Sequence, residues 1–152
     1  EIASYFNAEM VICDKHRKRA NEIASMVVIG DVTGKDVVII DDICDTGGTL
    51  AKSAGLLKEK GARSVRAMIT HPVLSGKAYE NIQGSVLEEV VVCDTIPVKP
   101  GCDKIKVLSV AELFAVAIRN AFENKSITSL FIHSQRKDDS KRNRGEGTTI
   151  GG

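Results

Sequence analysis

Val37-Val38-Ile39-Ile40-Asp41-Asp42-Ile43-Cys44-Asp45-Thr46-Gly47-Gly48-Thr49 is the stretch that decides the fold. Four consecutive β-branched apolar residues with no polar alternation read as a strand covered on both faces, the environment of a parallel sheet. That strand is expected to end in two carboxylates, Asp41 and Asp42. Asp45 to Thr49 then offers successive backbone N–H groups, two hydroxyls and two glycines, and Leu50 to Lys60 continues at helical spacing. Such a turn at a helix N-terminus concentrates donors and positive dipole on an anion, and a phosphate monoester is the natural guest. Two carboxylates beside an anion would repel it unless they face vicinal hydroxyls or a cation. A phosphorylated sugar satisfies both demands.

Outward from this stretch, strands and helices alternate. Upstream, Glu1 to Asn7 reads as the end of a helix already under way, so the chain is expected to be a fragment. Met10 to Cys13 reads as a short buried strand, Asp14 to Asn21 as a basic loop, and Glu22 to Ile29 as strand or helix by propensity. Gly30 to Lys35 is turn chemistry. Downstream, Gly61 supplies a helix stop, Val65 to Thr70 the next strand, and Leu74 to Gln83 a short helix. Val90 to Cys93 and Ile105 to Leu108 complete the strands. Apolar residues at 110, 113, 114, 117, 118 and 121 predict an amphipathic helix packed on the sheet. The whole reads as an α/β fold, a parallel β-sheet flanked by helices with right-handed crossovers. An open sheet of this kind binds ligands beyond the carboxyl ends of its strands, which independently selects the edge carrying residues 41–49. From His133 onward lysine, arginine, aspartate, serine and glycine dominate, a composition that cannot bury a core, so residues 132–152 are expected to be a disordered tail.

Composition excludes several functions. Twenty-one lysines and arginines against 20 aspartates and glutamates leave no basic field for nucleic acid, and two tyrosines, four phenylalanines and no tryptophan leave few stacking platforms. Cys13, Cys44, Cys93 and Cys102 lack C-x-x-C spacing and read as reduced thiols of a cytoplasmic protein. Cys44 lies within the anion loop, where N–H dipoles lower a thiol pKa, yet no paired base accompanies it. No apolar run is of membrane-spanning length. His71, before Pro72 at a strand end, reads as a hydrogen-bonded structural residue, since no second metal ligand stands at motif spacing. Asp94-Thr95 follows a strand on the ligand edge and reads equally as substrate contact or turn cap.

The central run resembles the phosphoribosyl pyrophosphate (PRPP) binding motif of type I phosphoribosyltransferase-fold proteins. Its flanks resemble one family more closely, the ribose-phosphate pyrophosphokinases (PRPP synthetases): Val11 to Arg17 with Asn21-Glu22, Thr70 to Gly76, and Ser126 to Phe131. The resemblance runs over residues 1–131 and implies the C-terminal, phosphoribosyltransferase-like domain of such an enzyme, with the N-terminal half absent; it also favours a strand over 22–29. The implied activity transfers the β,γ-pyrophosphoryl group of ATP to ribose 5-phosphate, giving PRPP and AMP, with this chain inactive alone. Asp41 and Asp42 would hold the ribose hydroxyls, and Asp45, Thr46, Gly47, Gly48 and Thr49 the 5-phosphate. Lys15 and Arg17 match a mobile catalytic loop that offsets charge on the transferred phosphoryl oxygens. Without the resemblance, Lys15, Arg17, Lys18 and Arg19 read as a solvated charge run. Mg²⁺ is implied on ATP, its protein ligands lying outside this chain. Ser126, Thr128 and Phe131 match an allosteric site for ADP and phosphate, and a homo-oligomer of the hexamer-of-dimers type is implied. The alternatives are a salvage phosphoribosyltransferase, for which no nucleobase hood is found, and a non-catalytic synthetase-associated subunit, which has no need of the motifs kept here.

Overall fold

The computed structural model of the chain describes residues 2–16 and 25–131. The chain divides into two compact units, Glu1–Val110 and Ala111–Gly152. In the first, helix α1 (Ile2–Tyr5) precedes strands β1 (Ile12–His16) and β2 (Ser25–Ile29), followed by β3 (Asp36–Cys44), helix α2 (Gly48–Glu59), β4 (Ser64–Pro72), helix α3 (Ala78–Gln83), β5 (Glu89–Cys93) and β6 (Ile105–Leu108). Strands β3-β4-β5-β6 stand side by side in sequence order, every pair parallel. The expected parallel α/β sheet is therefore present.

Alternation along the strands sorts the two faces. Val65, Ala67 and Ile69 of β4 and Val90 and Val92 of β5 are buried on one face, opposite Ile39 of β3 in the paired register. Leu50, Ser53, Ala54 and Leu57, spaced as one stripe of α2, are buried with them, as are Ala78 and Ile82 of α3. Helix α2 packs on α3, β4 and β3. It ends as Gly61 predicts: Gly61, at φ 92°, donates its N–H to the Lys58 carbonyl and Ala62 donates to Leu57, the paired bonds of a left-handed helix stop.

Two expectations change here. The β3 run is covered on one face only: Val38 and Ile40 are 45% and 49% exposed, and Met68 beside them on β4 is 50% exposed. β3 is also the edge of its sheet, because β1 and β2 pair antiparallel with each other and form a separate ribbon. The predicted short buried strand at 10–13 is a strand that begins at Ile12 and runs on to His16, with Ile12 exposed, and Val28 of the ribbon enters the core. Of the strand expected over 22–29, Ser25–Ile29 is β2, and residues 22–24 lie outside the described residues.

The second unit holds helix α4 (Ala111–Phe122) and a 3-10 turn (Thr128–Leu130). Asn124, in the left-handed region at φ 54°, stops α4: its N–H donates to Ala121 and that of Lys125 to Asn120. The amphipathic helix forms where the spacing predicts, yet none of its residues is buried, Phe122 being 88% exposed. The predicted tail at 132–152 lies outside the described residues.

Candidate functional site

The loop between β3 and α2 sits at the carboxyl edge of the sheet, and glycine decides its path. Gly47 has φ 70°, a left-handed conformation that side chains disfavour, and its carbonyl accepts the first helical bond, from Ala51 at 2.9 Å. Helix α2 starts at Gly48 with no side-chain cap at Gly47, so the amides of its first turn lie beyond the reach of any intrahelical acceptor. Gly47 is buried, and a Cβ there would stand 3.3 Å from the Ala78 carbonyl oxygen and 3.4 Å from Ile82 Cγ1. A Cβ on Gly48 would find nothing nearer than 3.8 Å. The first glycine is needed for the turn, and the second leaves the helix entrance open.

The segment after β4 supports this loop from behind. Leu74 and Ser75 donate their N–H groups to the carbonyls of Cys44 and Asp45, both at 3.0 Å, and the Ser75 hydroxyl donates to the Asp45 carboxylate. The Asn81 side-chain amide donates to the Thr46 carbonyl at 2.8 Å. The Asp45 carboxylate is thereby tied to Ser75. The sequence shows Thr70 to Gly76 as a flank of the motif but nothing that marks Ser75 or Asn81, because their partners lie 30 and 35 residues away.

The two acids are not equivalent. β3 runs through both to Cys44, so the strand does not end at them. Adjacent residues of a strand face opposite ways, which puts Asp41 on the helix-covered face with Ile39 and Asp42 on the face of Val38 and Ile40. Burial pushes the Asp41 carboxyl up, the Asp42 carboxylate adds to that, and the Asp42 N–H, donating to Asp41 Oδ1 at 2.9 Å, partly opposes it. A group held in this way gains from hydroxyl donors that favour its charged form.

Cys44 is buried, and burial pushes its thiol pKa up, with the Gly47 backbone only partly opposing it. The loop dipoles do not activate it. His71 Nδ1 lies 3.0 Å from Thr95 Oγ1, and Thr95 gives its only hydroxyl proton to the Thr70 carbonyl at 3.0 Å, so His71 donates through Nδ1. The hydrogen-bonded role expected of His71 is what is found. Asp94 accepts from Ser109 Oγ at 2.5 Å and from the Val110 N–H at 2.9 Å, a turn cap that lowers its carboxyl pKa.

Lys15 lies in β1 opposite Met26, and Arg17 falls outside the described residues. In the second unit, Ser126 Oγ donates to Thr128 Oγ1 at 2.8 Å and accepts the Thr128 N–H at 3.1 Å, while Phe131 is exposed. Among the described residues no three acidic, histidine or cysteine side chains converge as metal ligands. No described helix is long and apolar enough to cross a membrane. A groove of about 1080 Å³ lies elsewhere, between the N-terminal segment and the exposed side of β3. Phe6, Met10, Val38, Ile40 and Met68 line it and none of residues 41–49 does, so its apolar wall is no match for a phosphate.

Comparison with known proteins bears on the same residues. The family model described as phosphoribosyl synthetase-associated domain matches residues 7–132. Ribose-phosphate pyrophosphokinases of Campylobacter jejuni and Wolinella succinogenes are each 54% identical over 131 residues, covering 86% of this chain and 42% of theirs. The chain therefore spans less than half the length of these curated relatives. The crystal structure of phosphoribosylpyrophosphate synthetase from Mycobacterium smegmatis matches with a TM-score of 0.66 at 39% identity, over 74% of this chain and 37% of that one.

Proposed function

Since the chain belongs to the phosphoribosyl synthetase-associated domain family, we propose that it is the ribose-5-phosphate-binding part of a ribose-phosphate diphosphokinase. The observation that carries this reading is the left-handed Gly47 opening α2 directly after an acid pair on the carboxyl edge of a parallel sheet. The amides of residues 46–49 take the 5-phosphate, and Asp41 and Asp42 accept hydrogen bonds from the ribose hydroxyls. With the sugar so fixed, its 1-hydroxyl oxygen attacks the β-phosphorus of ATP. A C1–O–P bond forms, the bond from the β-phosphorus to the bridging oxygen breaks, AMP leaves, and the hydroxyl proton passes to solvent. Catalysis of this kind is mostly positioning and charge neutralisation, and Lys15 and Arg17 supply positive charge to the transferred oxygens. Mg²⁺ bound with ATP would supply further neutralisation, its protein ligands being expected outside this chain.

ATP contacts from residues outside residues 1–131, a homo-oligomer, ADP and phosphate as effectors at Ser126, Thr128 and Phe131, a cytoplasmic location and an appended tail at 132–152 complete the reading. It is tested by calorimetric titration of the chain with ribose 5-phosphate, ribose and inorganic phosphate. Ribose 5-phosphate is expected to bind tighter than either part, with Asp42→Asn weakening the sugar contribution alone and Thr49→Val weakening both. Absence of binding, or equal losses for every ligand in both variants, overturns it. Formation of AMP by the chain alone with ATP, Mg²⁺ and ribose 5-phosphate would show that no further residues are needed.

A further inference from the structure

We propose that Asn81 is a positioning residue of the phosphate loop, setting anion affinity without touching the ligand; this rests on the sugar-phosphate reading above. The peptide joining Thr46 to Gly47 is planar and trans, so its carbonyl and its N–H point in opposite directions and fixing one fixes the other. The carbonyl of Thr46 is held by Asn81 Nδ2 at 2.8 Å, which aims the N–H of Gly47 the opposite way. One bond from α3 thus fixes the orientation of this peptide. Its plane in turn sets where the left-handed Gly47 sends the next amides, those that open α2.

The brace is integral to the fold. Asn81 stands on α3 between Ala78 and Ile82, the two residues whose atoms lie against Gly47, and its own Nδ2 would be 3.9 Å from a Cβ placed on Gly48. α3 thus presents a packing contact and a hydrogen-bond donor to consecutive residues of one turn. Asn81 reaches from α3 to donate to a carbonyl of the connection between β3 and α2. Without it, the Thr46 carbonyl is free to rotate toward the anion, where its partial negative charge opposes binding.

The test compares Asn81→Leu, similar in size but without a donor, with Asn81→Gln, which keeps an amide donor on a longer stem. Titrations use ribose 5-phosphate, inorganic phosphate and unphosphorylated ribose, beside thermal unfolding and amide exchange at Gly47 in the ligand-free chain. Asn81→Leu is expected to lower affinity for both phosphate-bearing ligands about tenfold, leave ribose affinity unchanged and speed exchange at Gly47. Asn81→Gln is expected to recover at least half of the loss on a logarithmic scale. If Asn81→Leu binds like the original chain, or if its melting temperature falls while affinity of the folded protein holds, the brace is refuted and the sugar-phosphate reading survives. If the original chain binds neither phosphate-bearing ligand, the reading itself fails and the brace with it.

Discussion

Gly47 and Gly48 are neighbours of identical chemistry, and the structure assigns them opposite sensitivities to alanine. At Gly47 a methyl group meets two costs. The φ of 70° places an L-residue in the left-handed region, which costs about 1–2 kcal/mol. The new Cβ would also press on the Ala78 carbonyl at 3.3 Å and on Ile82 Cγ1 at 3.4 Å, adding roughly 1 kcal/mol of overpacking between two buried elements. Gly47→Ala should therefore destabilise by about 2–3 kcal/mol, a fall of roughly 10–20 °C in melting temperature for a unit of this size. At Gly48 the backbone is already helical and the nearest atoms stand at 3.8 and 3.9 Å. Gly48→Ala should leave stability unchanged or raise it by about 0.4–1 kcal/mol through the unfolded chain.

The binding effects run the other way. Alanine at position 48 places a methyl beside the first amide of α2, on the proposed path of the anion, and should weaken inorganic phosphate about tenfold, ~1.4 kcal/mol. Denaturant unfolding and phosphate calorimetry on both variants separate the two roles. If Gly47→Ala costs less than about 0.5 kcal/mol, the left-handed turn is not what glycine provides there. If Gly48→Ala binds phosphate undiminished, the anion does not lie against α2.

Asp41→Asn should hold or raise the melting temperature at pH 7 while weakening ribose 5-phosphate. The folded pKa of Asp41 is raised, so its contribution to stability is full below the unfolded value of about 3.9 and lost as pH rises through the folded one; the gain from Asn should vanish near pH 3, and a loss at pH 7 would contradict this. Asp36 is the opposite case: the Arg63 guanidinium, then Ser64, hold its carboxyl far below the usual carboxylate range. Its contribution is present above about pH 3.9 and lost as pH falls, so Asp36→Asn should melt lower at pH 7 and converge with the original chain in acid, a pH series of unfolding curves being the check. In a whole pyrophosphokinase carrying this domain, Lys15→Ala or Arg17→Ala should lower kcat far more than it raises KM for ribose 5-phosphate; a rise in KM with kcat kept would assign these residues to ground-state binding.

What was legible in the sequence was local. The strand at 37–40, the helix after the glycine pair and the stop at Gly61 rest on neighbours in the chain, and each is found where the residues put it. The acid pair and the loop were legible for the same reason. The double covering of β3 was not, because a run of valine and isoleucine suits a strand whether one face or two are packed, and what lies on the second face depends on segments far away in sequence. The bonds that shape the site are of that distant kind. Asp45 meets Ser75 and Thr46 meets Asn81, at separations of 30 and 35 residues. A glycine pair in a sequence says that the chain turns or is closely approached, without saying which glycine does which. The left-handed backbone of Gly47 and the position of α3 separate them, since Ala78 and Ile82 fill the space behind Gly47 and leave the front of Gly48 open. A motif read along the chain therefore names the turn, and the side chains that brace it from behind stand on a helix the motif does not include.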